Sequence, residues 1–171
     1  MPGIVVADTG PLRYLVLIGH VEVLPPTRAP LPAIPAAVAD ELRHPGSPEA
    51  VRAWAADSPS WLTAHPDPPE PATELERLDP GERAAIALAH ALGAGLLLID
   101  ARAGVAAARR QGFRATGTLG VLADAAREGL PDLAAAFAAL RATNFHHAPA
   151  LLGALLAADR ARRDGLERGD R

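Results

Sequence analysis

The sequence predicts an α/β protein with a parallel β-sheet, and two apolar runs together with the alternation around them support this prediction. Ile4–Ala7 is a short run rich in β-branched residues, followed by a turn and a helix start, as expected of a buried strand. Leu96–Ile99 holds four consecutive apolar residues without alternation, as a strand buried on both faces requires. Strand and helix patterns alternate along the chain, which is typical of parallel sheets with right-handed crossovers.

The first half of the chain predicts three helices after the first strand. Prolines suited to a first helical turn mark their starts at Pro11, Pro35 and Pro48, and Gly19 is placed to end the first of them. The third helix is expected to run to about Asp57. Short strands are predicted at 31–34 and 61–63, and four prolines predict a surface loop at 65–73.

The second half has a clearer pattern. Asp79-Pro80-Gly81-Glu82 has the spacing of a capping box, with an acid at the cap and Glu three residues later. The helix that it opens is expected to end at Gly93. Strands are then predicted at 95–100 and 113–116. Further helices are predicted at 102–110, 119–127, 133–140 and 148–158.

The composition bounds the domain organisation. A chain of 171 residues fits one domain, here expected over 1–158, with a charged tail at 159–171 that is either helical or disordered. The residues are 49% hydrophobic but only 4% aromatic, so alanine, leucine and valine must supply most of the packing. The net charge of -3 gives no global basic field, and any nucleic-acid contact must come from a local basic patch.

Several classes of function are excluded by what the sequence lacks. It contains no cysteine, which removes disulfides, zinc–thiolate sites and thiol nucleophiles. The N-terminal segment has neither the basic leader nor the apolar length of a signal peptide. No apolar run approaches the ~18 residues of a membrane-spanning helix. These observations predict a soluble, cytoplasmic protein with no membrane partner.

Four acidic residues stand where a parallel sheet can bring them together. Asp8 follows the first predicted strand, and Asp100 follows the apolar run Leu96–Ile99, which is the clearest strand pattern in the chain. Ligands bind beyond the carboxyl ends of parallel strands. Glu41 lies near the inward edge of a helix, and Glu82 lies in the first turn of another. Carboxylates that converge in one crevice repel each other unless a cation compensates. The oxygen-ligand ions Mg²⁺ and Mn²⁺ are the natural compensators.

Each acid also has an ordinary structural interpretation. Asp8 and Asp100 can each cap the helix that follows, and Glu41 can be a solvated helix residue. The capping box accounts for Glu82 without any metal. Spacing alone leaves these alternatives open, and only the arrangement of all four favours a metal site.

The segments around these acids resemble a known family. IVVADTGPLRYLVLIGHVEVLP, IPAAVADEL, LDPGERAAIALAHALGAGLLLIDARAG and GFRATGTLGVLADAAREGL are together similar to PIN domains, in a prokaryotic subgroup related to VapC-type toxin ribonucleases. The resemblance covers about residues 4 to 131, with a weaker echo in the C-terminal helices. It implies a three-layer α/β/α sandwich around a central parallel β-sheet, with a helical C-terminus.

The resemblance also implies a metal-dependent endoribonuclease. Asp8, Glu82 and Asp100 match metal-binding acids, and Glu41 matches a helix glutamate that completes the catalytic set. Thr9, Thr116 and Thr118 match supporting positions, and Arg102 and Arg114 are candidates for binding the RNA backbone. The implied cofactor is Mg²⁺ or Mn²⁺. The implied partners are RNA, an antitoxin protein and a second copy of the chain, as in the toxin of a toxin–antitoxin pair.

The chain departs from the subgroup after the fourth strand. Two consecutive aspartates are usual there, whereas this chain has Asp100-Ala101, and Gly104-Val105 replaces a common Gly-Arg pair. Asp100 would then serve alone. The alternative hypothesis is a catalytically degenerate PIN domain that acts as a binding or scaffold module, with Ala101 as its mark.

Overall fold

The computed structural model describes residues 3–24, 32–69, 75–129 and 132–169. Its strands are β1 (Val5–Ala7), β2 (Ala33–Pro35), β3 (Thr63–His65), β4 (Leu96–Leu98) and β5 (Arg114–Thr116). Its helices are α1 (Thr9–Leu17), α2 (Ala36–Arg43), α3 (Glu49–Ala56), α4 (Pro80–Leu92), α5 (Arg102–Arg110), α6 (Thr118–Arg127), α7 (Leu133–Arg141) and α8 (Pro149–Gly169). A short 3-10 turn spans Val21–Val23.

All five strands pair in parallel, in the order β3-β2-β1-β4-β5. The chain builds outward from β1 in one direction and then returns to β1 to place β4 on its other side. This reversal makes the β1–β4 boundary the switch point of the sheet, where open α/β folds form a crevice. Val6 is paired with Leu97, so the residues that follow β1 and β4 emerge side by side.

The core lies where α4 packs against the central strands β1, β2 and β4. Val6, Leu97 and Ile99 meet small and branched residues of α4, among them Ala85 and Ile86, and none of these five is measurably exposed. Small side chains let the helix approach the sheet closely. The structure is the predicted α/β/α sandwich around a parallel sheet, with a helical C-terminus.

Local signals fix the ends of α4. The Asp79 side chain accepts a hydrogen bond of 2.9 Å from the Glu82 backbone N–H, and Pro80 occupies the first helical position. Gly93 ends the helix in the left-handed region, at φ 61°. The predicted helix cap at Asp79 and the glycine stop at Gly93 are both confirmed.

The predicted strand at 61–63 is wrong by two residues, because β3 covers Thr63–His65. Residues 59–62 instead form a turn, in which the Leu62 N–H bonds the Pro59 carbonyl at 3.0 Å. Trp61 is drawn toward Trp54, with 6.2 Å between the ring centroids. His65 therefore belongs to β3 rather than to the predicted loop at 65–73, whose residues 70–73 lie outside the described ranges. The predicted strand at 31–34 is observed at Ala33–Pro35, and Leu31 also lies outside those ranges.

The chain divides into two compact units, Met1–Thr118 and Leu119–Arg171. The second contains most of α6 together with α7 and α8. Within it, Asp132 caps α7, and Asp159 pairs with Arg162 at 2.8 Å and Arg163 at 2.8 Å on α8. Helix α8 continues past Ala158, so the charged segment is helical as far as Gly169. The division into a domain at 1–158 and a tail stays a prediction.

None of the helices in the described ranges combines the length and the apolar character needed to cross a membrane.

Gly104 of α5 packs tightly against Ile99, the residue that follows β4. A Cβ added there would lie 3.0 Å from Ile99 Cγ1 and still nearer to its Cδ1, and Ile99 is fully buried. We expect Gly104→Ala to lower the free energy of unfolding by about 1–3 kcal/mol through overpacking. Gly153→Ala is the matched control, since its Cβ meets nothing within 4 Å on α8. It should raise stability by about 0.5–1 kcal/mol, and equal effects in urea denaturation would refute the close approach.

Candidate active site

Asp8 is the buried centre of the acidic residues at the switch point. Only 6% of the residue is exposed, and its Oδ1 is buried without a hydrogen-bond partner among the described residues. It occupies the N-cap position of α1, yet its side chain makes no capping bond to that helix. Burial raises the pKa of Asp8 to about 7, the Thr9 backbone N–H opposes the increase, and the charges of Asp79, Glu82 and Glu41 add to it. Capping does not explain this carboxylate.

Glu82 adds a second buried carboxylate beside Asp8, with 6% of the residue exposed. Its backbone N–H donates to the Asp79 side chain at 2.9 Å, so Glu82 also takes part in capping α4. Burial raises the pKa of Glu82, and the carboxylates of Asp79 and Glu41 raise it further. The capping role and the acidic cluster are therefore compatible at this residue.

Glu41 reaches the same place from α2. It is half-buried, and the Thr9 hydroxyl donates a hydrogen bond to its Oε2. Its carboxylate lies against the backbone of Gly81, where an added Cβ would come within 2.6 Å of Oε1. The absence of a side chain at Gly81 thus lets Glu41 approach the first turn of α4.

Asp100 lies on the other side of the switch point, and both of its carboxylate oxygens accept hydrogen bonds from Thr118. The Thr118 N–H lies 2.6 Å from Oδ1, and the Thr118 hydroxyl lies 2.7 Å from Oδ2. Burial raises the pKa of Asp100, and these two bonds oppose the increase. An added Cβ on Gly10 would lie 3.1 Å from Oδ2, so Asp100 borders the start of α1. Its charge is not among those that raise the pKa of Asp8 or Glu82.

The remaining candidates from the sequence take different positions. Thr9 and Thr118 each hold one acid through a side-chain hydrogen bond. The backbone carbonyl of Thr116 accepts a hydrogen bond from the Ile99 N–H at 2.9 Å. Arg102 is exposed at the start of α5, close in sequence to Asp100. Arg114 is exposed at the amino end of β5, so it begins the strand at the end away from the acids.

The chemistry of the donors fits a hard dication. All are carboxylate oxygens, the ligand type that Mg²⁺ and Mn²⁺ prefer, and the buried Asp8 Oδ1 has no other partner. Within the described ranges, no three Asp, Glu or His side chains already form a group arranged to hold one ion. Glu41 is engaged by Thr9, and Asp100 by Thr118. The donor set is therefore suitable, while these side chains are held by hydrogen bonds rather than arranged as a finished coordination shell.

Sequence reasoning missed one acid and two glycines of this site. The sequence indicates Asp79 only as a helix cap, although its charge acts on both Asp8 and Glu82. The two glycines leave room for carboxylates: Gly81 for Glu41 and Gly117 for Asp100. The signal for Asp79 was present in the capping box, whereas the roles of the glycines depend on contacts between distant segments.

The fold and the acidic crevice define a nuclease-type α/β/α protein. A family model described as a PIN domain matches residues 4–160. The chain belongs to the PIN-domain family, as the sequence resemblance implied, and PIN domains are generally nucleases that act on RNA and use divalent metals. Neither the comparison with curated proteins nor that with solved structures gives a match. Membership of the VapC-related subgroup stays a prediction.

The buried charge at Asp8 predicts an unusual pH dependence in metal-free protein. The pKa of its carboxyl rises from 3.8 to about 7 on folding, so protonation stabilises the folded state and this stabilisation is lost as pH rises from about 4 to about 7. Removing the charge by Asp8→Asn should raise the free energy of unfolding at pH 8 by up to about 4 kcal/mol. It should also flatten the pH profile, measured by urea denaturation in EDTA.

Asp40→Asn is the control for this experiment. Asp40 is exposed on α2, so the variant loses the same charge without relieving a buried one. We expect its stability at pH 8 to stay within about 0.5 kcal/mol of the parent. An Asp8→Asn variant that is less stable than the parent at pH 8 would show that the carboxylate is satisfied within the fold.

Proposed function

We propose that the chain is a metal-dependent endoribonuclease that hydrolyses RNA phosphodiester bonds with Mg²⁺ or Mn²⁺ as cofactor. The observation that carries this proposal is the buried Asp8 Oδ1, which has no partner among the described residues and is surrounded by carboxylates. A fold does not maintain such an arrangement without cost, because like charges in a desolvated site destabilise one another. The PIN-domain family supplies the reaction class that fits it.

The acidic residues have separate roles in the proposed mechanism. Asp8, Glu82 and Asp100 would hold the cation, with Asp100 approaching from the far side of the switch point. A bound dication supplies charge neutralisation at the phosphate and acidifies a water molecule. Glu41, oriented by the Thr9 hydroxyl, would position the attacking water and accept its proton. Thr118 would fix Asp100 through its two hydrogen bonds, and Thr116 would shape the adjoining loop. The family's chemistry gives a 5′-phosphate and a 3′-hydroxyl as products.

RNA contacts are proposed at Arg102 and Arg114. Both are exposed, and arginine suits bidentate phosphate contacts. The position of Arg102 beside Asp100 in sequence supports a contact with the phosphate next to the cleaved bond. Arg114 begins β5 at the opposite end, so it would contact the RNA backbone further from that bond.

The biological setting that we propose is a cytoplasmic toxin of a toxin–antitoxin pair, with an antitoxin protein and a second copy of the chain as partners. The resemblance to VapC-related proteins supports the pairing, and a small upstream reading frame for a DNA-binding protein would add to it. Leu151 and Leu166 of α8 are 51% and 63% exposed, which supports an apolar dimer surface on this helix.

RNA cleavage with Mn²⁺ tests the catalytic proposal directly. Asp8→Asn and Glu41→Gln should each lower the cleavage rate by at least about a hundredfold, because even residues that only support metal ligands alter activity by up to this factor. Asp40→Asn should cleave at the parental rate, since its side chain is exposed outside the cluster. EDTA should abolish cleavage, and end-labelling of products should find 5′-phosphates.

Equal cleavage by the parent and Asp8→Asn would contradict the proposal, because the activity would then belong to a contaminant or to another site. Parental protein that neither cleaves RNA nor binds Mn²⁺ in calorimetry would support the second candidate instead.

That second candidate is a catalytically degenerate PIN domain that serves as a binding or scaffold module. Two observations favour it. Ala101 occupies the N-cap position of α5, where no side chain makes a capping bond, and both oxygens of Asp100 are already engaged by Thr118. If the acid after β4 must keep its oxygens free for the cation, Asp100 does not meet this requirement.

Restoring a carboxylate at position 101 separates the two candidates. Ala101→Asp adds both a helix cap and a charge, whereas Ala101→Ser adds a cap of about 1 kcal/mol without the charge. For an active nuclease we expect both variants to cleave RNA, with Mn²⁺ affinity about tenfold higher in Ala101→Asp than in Ala101→Ser because of the added ligand charge. An inactive parent, an inactive Ala101→Ser and an active Ala101→Asp would identify the degenerate domain.

A further inference from the structure

Four carboxylates surround a single helical turn, the Asp79-Pro80-Gly81-Glu82 start of α4. The Asp79 side chain accepts a hydrogen bond from the Glu82 N–H at 2.9 Å, which places the Asp79 carboxylate against this turn. The Glu41 carboxylate lies over Gly81, in the middle of the turn. Asp8 completes the set as the residue on which the other three charges act.

Asp79 differs from an ordinary capping aspartate within the same chain. Asp132 caps α7 by accepting from two backbone N–H groups, those of Ala134 and Ala135. The Asp79 side chain accepts from the Glu82 N–H through Oδ1 and also faces the Glu82 carboxylate. Burial and then the Asp79 charge raise the pKa of Glu82, an effect that capping does not require.

The geometry points to Asp79 as a further cation-binding residue of the site, which joins Glu82 at the exposed mouth of the crevice to hold a divalent cation. This inference rests on the proposed function and extends it to a residue outside the four acids predicted from the sequence. Asp79 is exposed whereas Asp8 and Glu82 are buried, so it is the acid that an entering ion would meet first.

A second observation that points to a ligand comes from Asp8. Its Oδ1 is buried, lacks a hydrogen-bond donor in the described part of the chain, and belongs to the carboxylate on which the Asp79 charge acts. A buried anionic oxygen without a donor requires a cation or a proton. An ion bound between the inner acid and the outer one would satisfy both.

The test is Mn²⁺ titration of the full chain by calorimetry at pH 8, with Asp79→Asn compared with Asp132→Asn. Asparagine caps a helix as well as aspartate does, so each variant keeps its cap and loses one charge. We expect Asp79→Asn to weaken Mn²⁺ binding by about tenfold or more, and Asp132→Asn to change it by less than about twofold.

Thermal unfolding in EDTA gives a readout that is independent of binding. Asp79→Asn should raise the Tm of metal-free protein at pH 8, because it removes a charge beside Asp8 and Glu82. Asp132→Asn should not raise it.

The outcomes separate the two proposals. Parental protein that binds no Mn²⁺ would overturn the proposed function, and this inference with it. Parental binding that Asp79→Asn leaves unchanged would overturn this inference alone and return Asp79 to the role of a helix cap.

Discussion

The organising constraint of this molecule is the burial of the Asp8 carboxylate close to other acids. Its buried Oδ1 has no donor in the described ranges, and its pKa is raised to about 7 by burial and by three neighbouring acids. Protein interiors accept such groups only where a proton or a cation compensates. Helix capping accounts for part of the role of Glu82, but the side chain of Asp8 makes no capping bond to α1. The fold therefore places a cost at this position that a bound dication would remove.

The sheet topology explains why the cost falls there. Returning to β1 after β3 places β4 on its free side, so acids that follow two distant strands emerge next to each other. The small core residues then let the helices come close enough to add their own carboxylates. Gly81 and Gly104 show the same close packing at single contacts. A methyl group at Gly81 would press on the Glu41 carboxylate, and one at Gly104 would press on Ile99. The same close packing builds the core and concentrates the charge.

Local patterns predicted most of the fold, and distant contacts account for what they missed. The α4 caps and the limits of α5 depend on neighbours within one turn, so the sequence defines them well. The strand near Trp61 shifted by two residues, because a turn and a ring contact with Trp54 compete with its β propensity. At the site, Asp8 and Asp100 could be found from their positions after strands, and Glu41 and Glu82 from their positions in helices. The bond between Asp100 and Thr118 spans 18 residues, and no local pattern predicts which partner an acid will choose.

The pairing of Asp100 with Thr118 affects how this site differs from the sites of the VapC-related subgroup. With Ala101 in place of a second aspartate, Asp100 is the acid available after β4, and its oxygens are occupied in holding the start of α6. The charges that raise the pKa of Asp8 come instead from Glu41 of α2 and from the α4 turn. The acids whose charges act on Asp8 therefore belong to α2 and to the start of α4. A cation drawn to these acids would depend less on the acid after β4, so the absence of a carboxylate at position 101 is compatible with binding.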